Sequence, residues 1–171
     1  MFRKIKEHYL QKNFLKELRK LPESKTPNAT KIHSVGILTT NELSYAYNLA
    51  QKINEALPTV RNVHIYSYRE FKKSNEISYQ HFSSEDISWK GKVTDASFES
   101  FIENPFDLLI GYFDEKQLYL EFAALKSEAN FKIGFSGVND HLFDLLIHES
   151  PSKVDSFNAE VSKYLTLLDK I

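Results

Sequence analysis

The stretch that most constrains this chain runs from Phe106 to Phe135. Phe106-Asp107-Leu108-Leu109-Ile110-Gly111-Tyr112-Phe113 is a short apolar run, the pattern of a strand buried on both faces. Glu115 to Ala129 then reads as a helix, with Leu118, Phe122 and Leu125 at i, i+4 and i+7, stacked on one side. Phe131-Lys132-Ile133-Gly134-Phe135 returns as a second strand. Strand, helix and strand over roughly 30 residues make a βαβ unit. Its crossover is expected to be right-handed, and every other element must find a place against it.

The rest of the chain repeats that alternation. Ile32 to Thr40 reads as a strand ending in small polar residues. Asn41 then stands where it can cap one helix carrying Leu43, Tyr47, Ala50, Ile53 and Leu57 and stopping before Pro58. Val63 to Tyr68 is the next strand. Residues 69–95 are polar and irregular and hold the single tryptophan, Trp89; Ile77 to Phe82 within them reads as an edge strand or an extended loop. This connection is taken as a cover over one sheet edge, the alternative being a functional loop. Ala96 to Ile102 reads as a short helix, and Phe143-Asp144-Leu145-Leu146-Ile147-His148 is a strand nearly repeating Phe106 to Ile110. Ser150-Pro151-Ser152 opens the last helix, with Val154, Phe157, Val161, Tyr164, Leu165 and Leu168 facing inward. Five strands alternating with helices predict a three-layer α/β fold with a mainly parallel sheet, Rossmann-like or flavodoxin-like.

Ahead of this body stands a different kind of segment. Residues 2–21 read as an amphipathic helix with Phe2, Ile5, Tyr9, Leu10, Phe14, Leu18 and Leu21 in one broad stripe. Pro22 to Asn28 then breaks the pattern as a linker. The division is residues 1–31 as helix and linker, then residues 32–171 as one α/β domain. The first 20 residues carry seven basic side chains against Glu7 and Glu17, a net of +5; with −1 overall, the remainder carries −6. A basic amphipathic helix docks on its own body, on a second copy or protein partner, or on an anionic membrane surface.

Composition removes several classes of function. The near-neutral total gives no global field for nucleic acid, so none is expected as a partner. Cysteine is absent, which excludes disulfides, thiolate metal sites and thiol catalysis. No apolar run approaches the roughly 20 residues that span a bilayer, and Glu7, Gln11, Lys12 and Asn13 interrupt any signal-peptide core. The expected location is the cytoplasm.

In open α/β sheets ligands sit beyond the carboxyl ends of the strands. There the sequence places Thr39, Thr40, Asn41, Ser67, Tyr112, Asp114, Ser136 and Asn139, with Tyr68, Arg69, His148 and Glu149 nearby. These hydroxyls, amides and acids suit a small polar or phosphorylated ligand at a helix N-terminus, and equally suit helix caps and turns. The first βα loop, Thr39-Thr40-Asn41-Glu42, has no glycine-rich dinucleotide fingerprint and no Walker lysine. No G-x-S-x-G elbow and no metal-binding histidine pair occur. Asp140-His141 near Asp144 is the best acid–histidine cluster. Asp107 and Asp144, at strand starts, read as positioning groups. No catalytic or metal residue is assigned, and no cofactor is named.

Trp89-Lys90-Gly91, Phe106 to Ile110, Phe131 to Phe135, Asp144 to Ile147, and Phe157 to Leu165 with Glu160, Lys163 and Tyr164 resemble a small family of uncharacterised bacterial proteins, a domain of unknown function. That resemblance covers most of residues 30–171 and implies no activity. Phe106 to Ile110, the helix after it, and Lys132-Ile133-Gly134-Phe135 also look like the late βαβ unit in the N-terminal half of heptosyltransferase-like glycosyltransferases. In those enzymes a second half largely holds the sugar nucleotide, so the resemblance implies a binding or scaffolding domain. The leading expectation is a non-enzymatic binding or protein-interaction domain. The alternatives are a small enzyme or sensor for a phosphorylated metabolite or nucleotide, and a peripheral membrane protein.

Overall fold

A computed structural model describes residues 1–23 and 30–171, so most of the expected linker, residues 24–29, lies outside the described residues. The strands are β1 (Ser34–Thr40), β2 (Asn62–Tyr68), β3 (His81–Phe82), β4 (Leu108–Tyr112), β5 (Phe131–Phe135) and β6 (Leu145–Ile147). They form one sheet of order β3-β2-β1-β4-β5-β6, parallel throughout. Among the described residues the sheet has six strands where five were expected. The addition is β3, the end of the ambiguous Ile77–Phe82 stretch. Only its last two residues pair with β2, where the Ser67 N–H donates to Gln80 O at 2.9 Å and the Arg69 N–H to Phe82 O at 2.8 Å.

Side chains alternate across the sheet and fill two cores. On one face α1 (Phe2–Leu18), α4 (Ala96–Glu103) and α5 (Leu118–Lys126) bury Phe14, Phe98 and Phe122 against Leu38, Tyr66 and Leu109. On the other, α2 (Asn41–Ala46), α3 (Leu49–Ala56) and α6 (Val154–Leu167) cover Val35, Ile37, Ile110 and Ile133 with Ile53, Phe157 and Val161. Both cores draw on β1 and β4, which is why these central strands carry apolar residues without alternation.

The near-repeat Phe-Asp-Leu-Leu-Ile has a packing explanation. Asp107 Oδ2 accepts from His33 N, Ser34 N and Ser34 Oγ at 2.9–3.0 Å, gripping the start of the neighbouring β1. Asp144 Oδ2 accepts from Lys132 N at 2.8 Å at the start of β5, beside β6. Each preceding phenylalanine lies over strand glycines. A Cβ on Gly36 would meet the Phe106 ring at 2.7 Å, and one on Gly111 or Gly134 would meet Phe143 at 2.5 or 2.8 Å.

Three local expectations change. The helix after β1 is two helices, because Tyr47 takes extended backbone and Asn48 caps α3 by accepting from Gln51 N. The cap of α2 is Thr40, whose Oγ1 accepts from Leu43 N at 3.2 Å, and Asn41 is the first helical residue. The last helix begins at Val154, so Pro151 stands in a preceding turn rather than in the first helical turn, and Leu168 is exposed.

The N-terminal helix also departs from its single stripe. Leu10 and Phe14 are buried and Leu18 packs beside them, whereas Phe2, Ile5 and Tyr9 are exposed. Steps of three and four residues separate these groups onto opposite sides of α1. Asn13 Nδ2 donates to Lys90 O at 2.7 Å, Lys6 Nζ to Ser84 O, and Arg3 reaches Glu70 at 3.1 Å. The irregular segment 69–95 is thus the seat on which α1 lies.

Candidate functional site

The sheet order places β1 between β2 and β4. Connections run from β1 outward to β3 on one side and from β4 outward to β6 on the other. The carboxyl ends of β1 and β4 therefore flank the point where the strand order reverses, the place where open α/β sheets leave a crevice. A cleft of about 760 Å³ opens there, within the size range of small-molecule sites. Thr40 and Glu42 contribute from the β1–α2 junction, Tyr68 and Glu70 from the end of β2, and Lys116, Gln117 and Tyr119 from the start of α5. The remaining wall is α1, through Arg3, Lys4, Glu7, His8 and Gln11.

The floor is aromatic and rigid. Tyr68 and Tyr119 stack with centroids 5.5 Å apart and planes 6° off parallel. Burial, then the Glu7 carboxylate, pushes the Tyr119 hydroxyl up to about 12. Burial likewise raises Tyr68. Both stay neutral at physiological pH, and both rings are buried, stacked on each other. Arg3 is committed to Glu7 at 3.0 Å and Glu70 at 3.1 Å, which raises its already high pKa further. Lys4 and Lys116 line the same cleft and make no ion pair among the described residues. Gln117 caps α5, its Oε1 accepting from Leu120 N at 2.7 Å.

The eight candidates taken from the sequence fall into distinct places. Thr39, Ser67 and Tyr112 are in register across β2, β1 and β4, and all are buried. Thr39 Oγ1 donates to Tyr112 O at 2.8 Å, and the Tyr112 hydroxyl donates to Pro151 O at 2.8 Å. Burial raises the Tyr112 pKa strongly. Thr39 and Tyr112 thereby tie the strand ends and the turn at Pro151 together. Thr40 lines the cleft, while Asn41 next to it has a buried Oδ1 with no hydrogen-bond partner among the described residues. Asp114 is exposed on the loop after β4.

Ser136 and Asn139 belong to the neighbouring loop. Ser136 Oγ bonds His148 Nδ1 at 2.9 Å, and the Asn139 side chain accepts from His141 N. Asn139 N donates to Glu121 Oε1 at 3.1 Å, and Glu121, buried on α5, has its pKa raised by desolvation. Glu149 is held down to about 2 by the Ser156 hydroxyl and the Ser150 N–H. Asp140 and His141 are 3.7 Å apart and both about three-quarters exposed, an open surface pair and no shielded dyad. A second Ser–His bond, Ser78 Oγ to His81 Nδ1 at 2.6 Å, lies by the β3 edge. Among the described residues no group of three His, Asp or Glu side chains is arranged to hold a metal ion.

Sequence reasoning missed the α1 contribution. Arg3, Lys4, His8 and Gln11 are far from the strand ends in sequence, and only docking brings them over β1 and β2. Lys116 and Gln117 were within reach of the strand-end rule, four and five residues past Tyr112, but nothing local separates them from ordinary helix-start residues.

Among the described residues no helix is long and apolar enough to cross a membrane. Comparison with known proteins gives a match to the model of a family described as "Family of unknown function (DUF6913)", over residues 6–168. No curated protein and no solved structure matches the chain.

Proposed function

The chain belongs to DUF6913, a family of unknown function, and we propose that it is a non-enzymatic, Rossmann-like binding domain for a small polar metabolite carrying an anionic group. The observation that carries this reading is the cleft at the β1/β4 reversal, walled by α1 and by the start of α5. Lys4 and Lys116 suit a phosphate or carboxylate, and the buried, mutually stacked Tyr68–Tyr119 pair borders the cleft. Glu42, in the same lining, suits ligand hydroxyl or amino donors, while Glu70 is paired with Arg3. Both Ser–His pairs lie outside this lining, so the reading assigns binding and no bond-breaking step.

The test is a thermal-shift screen of nucleotides, sugar nucleotides, flavins and phosphorylated sugars on the full chain. A ligand at a hundredfold excess over Kd stabilises the native state by about 2.7 kcal/mol, a rise of roughly 5–10 °C for a domain of this size. The shift is expected to vanish in Lys4→Gln/Lys116→Gln, whose side chains lie on the cleft and outside both cores. A flat screen, or a hit that survives the double substitution, would refute the assignment.

A further inference from the structure

Helix α1 presents two stripes, and the fold accounts for only one. Arg3, Glu7, Leu10, Phe14 and Glu17 point to the body, where the leucine and phenylalanine are buried and both acids are partly covered. Phe2, Ile5, Tyr9, Lys12, Lys16 and Arg19 follow steps of three and four along the other side, and all are exposed. The outward stripe is apolar in its first half, cationic in its second, and free of acids. Trp89 stands against it, its ring 5.6 Å from Tyr9 and half exposed, with Lys90 Nζ 5.3 Å from the indole centroid. A groove of about 550 Å³ runs between Phe2, Ile5, Tyr9 and Trp89, with Glu85 as its acidic rim residue.

We infer that this face docks on an anionic lipid surface, with Phe2, Ile5, Tyr9 and Trp89 entering the headgroup region and Lys12, Lys16 and Arg19 lying on the phosphates. The choice of occupant rests on charge and side-chain type. Aromatic residues with an apolar body and a polar edge collect at membrane–water interfaces. Lys and Arg beside them supply the attraction to anionic headgroups. A second copy would cover the same three cations with no acid on that stripe to receive them, which is unfavourable for a self-complementary contact. The groove and the metabolite cleft share Arg3 and Tyr119, but the cations and exposed aromatics invoked here lie outside the cleft lining, so the two readings can fail separately.

Trp89 is the only tryptophan, so its emission reports directly on this face. The full chain is mixed with phosphatidylserine-containing vesicles and, separately, with pure phosphatidylcholine vesicles, and co-flotation is measured alongside emission. Expected are a blue shift and flotation with the anionic vesicles only, both reversed by high salt. Lys12→Gln/Lys16→Gln/Arg19→Gln should weaken partitioning on the order of a hundredfold, since each cation near such a surface contributes roughly fivefold. Phe2→Ser/Ile5→Ser should abolish the blue shift while thermal unfolding in buffer stays unchanged, both sites being exposed. Equal binding to both vesicle types overturns the proposal, as does no binding to either. It is also overturned if Trp89 shifts with protein concentration in lipid-free buffer, sedimentation shows a dimer, and vesicles add nothing; the occupant is then a second copy.

Discussion

Gly111→Ala is the sharpest test of how the two Phe-Asp-Leu-Leu-Ile strands are packed. A Cβ at Gly111 would stand 2.5 Å from Phe143 Cζ and 2.6 Å from Cε1, against about 3.5–4.0 Å for a carbon pair at optimal separation. The ring must retreat by about 1 Å within a close-packed core, and it also lies over Gly134 on the paired strand, where an added Cβ would meet it at 2.8 Å. Overpacking of this kind costs about 1–3 kcal/mol. The backbone at Gly111 is not left-handed, so alanine brings no φ strain, and its stiffer unfolded chain offsets about 0.4–1 kcal/mol. The net expectation is a loss of about 1–2 kcal/mol, or roughly 2–8 °C in Tm. Phe143→Leu removes the ring edge, and in that background Gly111→Ala should be neutral or slightly stabilising. The assay is equilibrium urea unfolding of the wild type, both single variants and the double variant. A coupling energy of at least about 1 kcal/mol is expected. Additivity within about 0.5 kcal/mol would refute the steric account.

Two further outcomes follow from groups that tie the sheet together. Asp107→Ala removes a carboxylate accepting from three donors at the start of β1 and should cost about 2–4 kcal/mol in chemical unfolding, whereas an exposed control such as Asp114→Ala should stay within about 0.5 kcal/mol. Tyr66, Tyr68, Tyr112 and Tyr119 all have raised pKa values, mainly through burial. Because the native state prefers their neutral form, the stability they contribute is complete below the ordinary tyrosine pKa near 10 and is lost as pH rises through the folded values. Absorbance near 295 nm, tracked against circular dichroism at about pH 10–12, should show these four ionising together with unfolding. Smooth ionisation of all nine tyrosines with the fold intact would contradict their burial.

Family membership and fold class were legible in residues that do one job wherever they stand. The apolar runs Phe106–Phe113 and Phe131–Phe135 had to be strands buried on both faces, and Asp107 and Asp144 at strand starts do position backbone, as their place in the repeat implied. The strand-end rule reached Thr40 on the cleft, yet it also gathered Thr39, Ser67 and Tyr112, which point to the opposite side and are consumed in packing. Side-chain direction at a strand end depends on register, and register is a property of the assembled sheet.

What the sequence by itself determined is the alternation of strands and helices, because hydrophobic periodicity and chain connectivity are local. The tertiary structure alone decided the order β3-β2-β1-β4-β5-β6, the recruitment of His81–Phe82 as a sixth strand and the side of α1 that is buried. Phe2 and Ile5 are as apolar as Leu10 and Phe14. The helical step puts the two groups on opposite sides of α1, and contact with residues 84–91 and α5 decides which side is covered. Long-range contact of that kind carries no local signature, and both the cleft wall and the outward stripe of α1 are its products.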